Sequence, residues 1–212
     1  MPHTFLGLDF ASPGHISGYA VLDDTGALLD LGLIGDDAAI IDLIDRSGAR
    51  TIAIDCPLGL PAGLDCLDPA CPCAPTSPRG IRESELAVRA LGYGLYFTTK
   101  KTIIRAMAER GIALRRTLEA RGPRVIEVYP YAAKRILFGE KPPKKTTPEG
   151  TAWLRKNITK LVPDLASIAR PLTHDELDAI LAAHTALLHH RGEATPLGNE
   201  SEGEIVVPTR PK

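Results

Sequence analysis

Short apolar runs separated by turn-forming residues dominate the first part of the chain and predict β-strands. Four such strands are predicted at residues 4–11, 17–23, 27–34 and 49–57. The second and third strands flank the turn signal Asp24-Thr25-Gly26, which predicts that they pair as a β-hairpin. The first three strands are therefore expected to form a meander.

Apolar positions at helical spacing predict six helices. These helices are expected at residues 36–48, 83–92, 100–122, 131–139, 147–162 and 173–190. Two further strands are expected, at 123–130 and within 198–209. The last helix has the pattern of a capping box, because Thr173 precedes its first turn and Glu176 follows three residues later.

This order of elements predicts an α/β layered domain with a mixed sheet, because a hairpin is followed by strands that alternate with helices. The 212 residues have the length of a single domain, 1–212. Proline and glycine punctuate residues 57–82 and predict a long loop, a feature that is usually functional or metal-stabilised. With the helices that follow, this loop is expected to form an insertion at 57–120.

The protein is not basic overall, because its 25 Lys and Arg residues are balanced by 26 Asp and Glu residues. Nucleic-acid binding would therefore require a local basic patch. No run approaches the roughly 20 apolar residues that a membrane helix needs. The first ten residues also lack the pattern of a signal peptide. We therefore expect a cytoplasmic protein with no membrane partner.

Five acidic residues occupy positions typical of a functional site. Asp9, Asp55 and Glu127 lie at or near the ends of predicted strands, and Asp175 and Asp178 lie three positions apart on one face of the last helix. Ligand sites in open α/β sheets lie at the carboxyl ends of strands, so these side chains are expected to converge. Buried carboxylates are costly unless they are paired or bound to a cation.

Carboxylate oxygens are the ligands that Mg²⁺ and Mn²⁺ prefer. We predict Asp9, Asp55, Asp175 and Asp178 as metal ligands, and Glu127 as a further ligand or a group that positions water. Two ions about 3.5–4 Å apart can activate water and stabilise the leaving oxygen in phosphodiester hydrolysis. All five acids are therefore predicted catalytic residues, with Asp9 able to bridge both ions.

Each of these acids also has an ordinary structural explanation. The two strand-end aspartates could cap turns. Asp175 could be favoured in the first helical turn by the helix dipole alone. Glu127 could pair with Arg124 or Lys134.

Five segments taken in order resemble the family catalogued as domain of unknown function 429, whose members are predicted nucleases with a ribonuclease-H-like fold. These segments are GLDFA, IAIDCPLGLP, VIEVYPYAA, HDELDAILAAHTA and EGEIVVP. The resemblance implies that fold, with Asp9 on the first strand, Asp55 on the fourth and Asp175 and Asp178 on the last long helix. It places Glu127 close to the same crevice. The segment DELDA is also similar to the D-x-x-D helix of the Holliday-junction resolvases in that superfamily.

Four cysteines lie within or beside the proline-rich loop, without the paired C-x2-C spacing of common zinc sites. Cys66, Cys71 and Cys73, together with Cys56 or a histidine, could form an irregular zinc site. Disulfide bonds and free thiols in a buried loop are the alternatives.

Basic and aromatic residues could contact nucleic acid around the predicted crevice. The basic candidates are Arg79, Arg82, Lys100, Lys101, Lys144 and Lys145. Tyr93, Tyr96 and Phe97 could stack bases, although packing in the core is the more usual role of aromatic side chains. Two other functions fit the same pattern: a binding module for a cation or phosphorylated ligand, or a phosphotransferase of the actin-like ATPase type. The latter would require glycine-rich phosphate loops, for which GLPAGL at 59–64 is a weak candidate.

Overall fold

The computed structural model describes residues 3–77, 79–139 and 141–210. Its strands are β1 (Phe5–Asp9), β2 (Ser17–Leu22), β3 (Leu28–Ile34), β4 (Thr51–Ile54), β5 (Arg124–Val128), β6 (Ala194–Leu197) and β7 (Ile205–Pro208). Its α-helices are α1 (Asp37–Ser47), α2 (Glu83–Ala90), α3 (Arg105–Glu119), α4 (Pro130–Phe138), α5 (Pro148–Ile158) and α6 (His174–His190). Two short 3₁₀ helices lie at Pro163–Ser167 and Glu200–Glu202.

The seven strands form one mixed sheet in the order β3-β2-β1-β4-β5-β7-β6. Neighbouring strands β1, β4, β5 and β7 run parallel, whereas the pairs β1–β2, β2–β3 and β6–β7 are antiparallel. The predicted α/β class and the mixed sheet are therefore confirmed. Because parallel strands end at the same edge, β1 and β4 bring their carboxyl ends together.

Two details of the predicted elements are wrong. The helix expected at 100–122 begins only at Arg105. Strand β6 was not predicted, because its sequence ATPL is short, half-exposed and interrupted by Pro196. A proline is tolerated there because β6 is an edge strand.

Helix α6 crosses one face of the sheet at unusually close range. A Cβ atom at Gly7 of β1 would lie 2.1 Å from the carbonyl oxygen of Ala179, and one at Gly18 of β2 would lie 2.3 Å from that of Asp175. Only glycine leaves room for the helix backbone at these two positions. This contact fixes the first turns of α6 directly over the end of β1, and so positions the helix acids relative to Asp9.

Each face of the sheet carries its own apolar core. On one side, Leu177, Ile180 and Leu181 of α6 pack with Leu154 and Ile158 of α5. The other core joins strand residues such as Leu6 and Ile52 to α1 and α3. The elements between β4 and β5 include α2 and α3, and the assignment of 57–120 as an insertion remains a prediction. No helix among the described residues is long and apolar enough to cross a membrane.

Candidate metal centre

Four of the predicted acids come together at the carboxyl end of the central strands. Asp9 ends β1, and Asp55 directly follows β4, where its amide donates to the carbonyl of Leu8. Asp175 and Asp178 lie in the first two turns of α6. The close packing of α6 on β1 and β2 therefore collects side chains that lie far apart in the sequence.

The ammonium group of Lys145 lies in the middle of this aspartate cluster. Its Nζ atom is 3.5 Å from Asp9 Oδ2, 3.5 Å from Asp175 Oδ1 and 3.4 Å from Asp178 Oδ2. The surrounding carboxylates raise the pKa of Lys145, although burial alone would lower it. Three carboxylates therefore face one ammonium group, although among the described residues their oxygens are not close enough to one another to share a metal ion without moving inward.

Crowding of negative charge changes the titration of the two strand-end acids. Burial and then the charge of Asp178 raise the pKa of Asp9 to about 7, with Lys145 opposing the shift. Burial raises the pKa of Asp55 well above its usual range, and the charges of Asp9 and Asp178 add to the effect. Asp55 thus belongs electrostatically to the same cluster, in which burial and neighbouring carboxylates favour the protonated form of the two strand-end acids.

Asp178 differs from the two strand-end acids, because its pKa is lowered. Burial would raise its pKa, but the neighbouring His174 and the charge of Lys134 lower it to about 2. His174 Nδ1 lies 3.2 Å from Asp178 Oδ2, and Lys134 Nζ lies 2.6 Å from Asp178 Oδ1. Lys134, one of the two expected partners of Glu127, instead contacts Asp178.

Glu127 is arranged differently from the aspartates, because both of its carboxylate oxygens are engaged by other groups. Arg82 Nη2 donates to Oε1 at 2.6 Å, Arg82 Nη1 donates to Oε2 at 2.7 Å, and the Leu58 amide donates to Oε2 at 2.7 Å. The expected partners, Arg124 and Lys134, are not the ones used. Arg82 is itself buried and also bonds Glu85. Glu127 lines the same cavity as the aspartates but offers no free oxygen for a metal ion in this structure.

A cavity of about 800 Å³ opens beside the aspartates. Among the described residues, its lining includes Arg82, Lys144 and Lys145 of the predicted basic set, but not Arg79, Lys100 or Lys101. Aromatic side chains form part of its wall: Phe10, Tyr96, Tyr129, Tyr131 and Trp153. Tyr93 is buried in an apolar cluster instead. The cavity therefore joins acids, lysines and aromatic rings in one concave surface.

The cysteines do not assemble as a set of four. Cys66, Cys71 and Cys73 can place their sulfur atoms within 4.8 Å of one another, and this group could hold a metal ion. Cys56 is not part of it: its thiol donates to the carbonyl of Pro57 and lies against Gly111. The predicted participation of Cys56 in a zinc site is therefore wrong, because its side chain is buried under α3.

The mixed sheet crossed by α6, with carboxylates at its parallel strand ends, is an α/β fold of the ribonuclease-H-like class. The Thermus thermophilus RuvC solved in complex with a Holliday junction substrate is similar in fold, with 13% identity and a TM-score of 0.50 over 92% of this chain and 99% of that chain. Another Thermus thermophilus RuvC structure aligns over 89% of this chain and 96% of that one, with 12% identity and a TM-score of 0.48.

The chain belongs to the family described as protein of unknown function DUF429, whose model matches residues 7–203. The resemblance of the ordered segments to that family is therefore confirmed. The chain matches no curated protein sequence.

The raised pKa of Asp9 predicts a pH-dependent stability difference between the protein and its Asp9→Asn variant in the absence of divalent metal. Because the folded-state pKa of about 7 exceeds the ordinary value of 3.8, the folded protein binds more protons than the unfolded chain between these values. Its free energy of unfolding therefore falls as pH rises through this window, by at most about 1.4 kcal/mol per pH unit for one proton. The variant lacks this contribution, so it should gain stability relative to the parent as pH rises from about 4 to 7.

Urea unfolding in the presence of a chelator at several pH values measures that difference. The control is Asp42→Asn, which removes an exposed carboxylate on α1. A difference between parent and Asp9→Asn that stays constant from pH 4 to 7 would contradict the assignment.

Proposed function

We propose that this protein is a divalent-metal-dependent nuclease that hydrolyses phosphodiester bonds of nucleic acid. The observation that carries the proposal is the convergence of Asp9, Asp175 and Asp178 on one ammonium group, with Asp55 alongside. The ribonuclease-H-like fold supports the proposal, because it places acids at the carboxyl ends of parallel strands, where α/β folds bind ligands.

The donor set fits a hard divalent cation. All four candidate ligands, Asp9, Asp55, Asp175 and Asp178, offer carboxylate oxygens, which Mg²⁺ and Mn²⁺ prefer over nitrogen or sulfur. The Lys145 ammonium stands where positive charge is needed, and its side chain is 52% exposed and so can move aside. When bound, the metal would lower the pKa of a water molecule and stabilise charge on the phosphate oxygens.

Neighbouring side chains control the ionisation of the carboxylates at this site. Lys134 and His174 hold Asp178 ionised, so at least one carboxylate is charged at neutral pH. With a pKa of about 7, Asp9 is only partly ionised near neutral pH, so cation binding and proton release would be coupled there. His174 lines the cavity beside Asp178 and is placed to hold or pass a proton there.

Glu127 acts in this proposal as a positioning residue. Its carboxylate holds the Arg82 guanidinium on one side and the Leu58 amide on the other. The chain from Asp55 to Leu58 is thereby tied to β5, the strand next to β4 in the sheet. We therefore assign Glu127 to fixing the backbone that carries Asp55, rather than to contact with the metal.

The cavity supplies contacts suited to a nucleic-acid strand. Lys141, Lys144 and Lys145 offer positive charge for phosphates, and exposed Tyr96 offers a ring face for a base. These groups form a local basic rim on a protein whose overall charge is −1. Salt-sensitive binding is expected from such a surface.

A panel of labelled single-stranded DNA and RNA, duplex DNA, hybrid duplex and four-way junctions tests the proposal. The junction is included because the RuvC structure contains such a substrate. Cleavage of at least one substrate should require Mg²⁺ or Mn²⁺ and should stop when a chelator is added. Metal-dependent binding without cleavage of any member would favour the binding-module alternative. The absence of both binding and cleavage for every member would contradict the proposal.

A further inference from the structure

The Cys66, Cys71 and Cys73 side chains form a compact thiol cluster away from the aspartates. Their sulfur atoms can all lie within 4.8 Å of one another, and Cys71 Sγ and Cys73 Sγ are 3.2 Å apart. All three residues are half-buried, so the cluster is open on one side. Within the described residues this is the one group of three or more potential ligands close enough to share an ion in the present arrangement.

We infer that Cys66, Cys71 and Cys73 bind one zinc ion, with a fourth position left for water or another small ligand. Zinc bound to thiolates has Zn–S distances of about 2.3 Å, which place tetrahedral sulfur atoms about 3.8 Å apart. The Cys71–Cys73 sulfur separation of 3.2 Å is shorter than that value and the other separations do not exceed 4.8 Å, so small side-chain rotations suffice. Thiolate ligands favour zinc over the hard cations proposed for the aspartates. On binding, the thiol protons pass to solvent.

Lys100 provides an independent reason to expect an anionic metal–thiolate group here. Its Nζ atom donates to the carbonyl oxygens of Cys71 at 2.6 Å and of Cys73 at 2.5 Å. These bonds fix the Cys71–Cys73 turn and hold a positive charge next to it. Three thiolates with one Zn²⁺ carry a net charge of −1, which the Lys100 ammonium would offset.

The metal would cross-link a segment that lacks regular secondary structure. Residues 57–82 form neither a regular helix nor a strand in their described part. Apart from hydrogen bonds, this loop is held at its start by Leu58 in the main core and further on by Leu64 and Leu67, which pack with Ala108 of α3. The same loop leads into Arg82, the partner of Glu127. Zinc at the three cysteines would therefore limit the motion of the chain that supplies Arg82.

Zinc content of the purified protein tests this inference. The protein is prepared under reducing conditions, stripped with a strong chelator, supplied with one equivalent of Zn²⁺ and analysed by native mass spectrometry. We expect one zinc per chain, and binding more than about 100-fold weaker in Cys66→Ser, Cys71→Ser and Cys73→Ser. The matched control is Cys56→Ala, which removes the buried thiol outside the cluster and should keep its zinc.

Cobalt absorption in the unaltered protein provides a second readout that does not depend on any variant folding. Co²⁺ should produce the thiolate charge-transfer band of a three-sulfur site, and Zn²⁺ should abolish it. The inference would be overturned by fully reduced protein that binds no zinc, or by zinc binding that survives loss of any one of the three thiols. A Cys71–Cys73 disulfide that forms in place of metal binding would also overturn it. None of these results depends on nuclease activity.

Discussion

Asp9→Asn should reduce metal-dependent cleavage by about 10³-fold while leaving the fold intact. Asp9 ends β1, beside the central strand β4, and its charge is coupled to those of Asp178, Asp175 and Asp55, so a neutral amide in its place would weaken the hold on any cation there. Metal stabilisation of transition-state charge is worth several kcal/mol, and each 1.4 kcal/mol corresponds to a factor of ten in rate. The measurement is the single-turnover cleavage rate of the substrate identified in the panel, at saturating Mg²⁺.

Asp42→Asn is the matched control for that experiment, because it makes the same chemical change at an exposed position of α1. Its rate should equal that of the parent protein. Circular dichroism and urea unfolding establish that both variants fold. Full metal-dependent activity in folded Asp9→Asn would show that the aspartate cluster is not the catalytic site.

Arg82→Met should destabilise the protein by about 3–5 kcal/mol. The Arg82 side chain is 1% exposed and bonds both Glu127 and Glu85, which are also buried. Removing one member of a buried ionic group leaves its partners as uncompensated charges, which is the costly case. Methionine keeps much of the side-chain length, so the loss would reflect charge more than volume. Urea unfolding at neutral pH measures the change in the free energy of unfolding.

The exposed ion pair between Arg121 and Asp45 provides the control, because its nitrogen–oxygen distance is also 2.6 Å. Arg121→Met should cost no more than about 1 kcal/mol, as is usual for surface pairs. Adding Glu127→Gln to Arg82→Met should recover part of the loss, since it removes one unpaired buried charge. Equal, small effects of Arg82→Met and Arg121→Met would contradict the structural role assigned to Arg82.

Much of the fold could be predicted from the sequence, because its elements follow local patterns. The hairpin and the capping box of α6 depend on residues close together in the chain, and the individual strands follow from short apolar runs. The proximity of Asp9, Asp55 and the α6 acids could also be expected, because each lies at a strand end or helix start. Strand β6 lacked such a pattern, and only pairing with β7 defines it.

Long-range side-chain partners could not be predicted in the same way. Arg82 lies 45 residues from Glu127 in the sequence, at the end of a proline-rich loop whose path no periodicity specifies. The position of Lys145 among the aspartates depends on the loop before α5, and the exclusion of Cys56 from the thiol cluster depends on packing against Gly111. Composition and residue spacing specify none of these contacts.

Anomalous diffraction from crystals soaked in Mn²⁺ tests the central claim most directly, since it locates the ion independently of any substrate. We expect manganese within about 2.3 Å of carboxylate oxygens of Asp9, Asp55 and Asp178. The Lys145 ammonium should then have moved out of the cluster. Crystals at saturating Mn²⁺ that keep Lys145 among the carboxylates, with no manganese bound there, would contradict that claim.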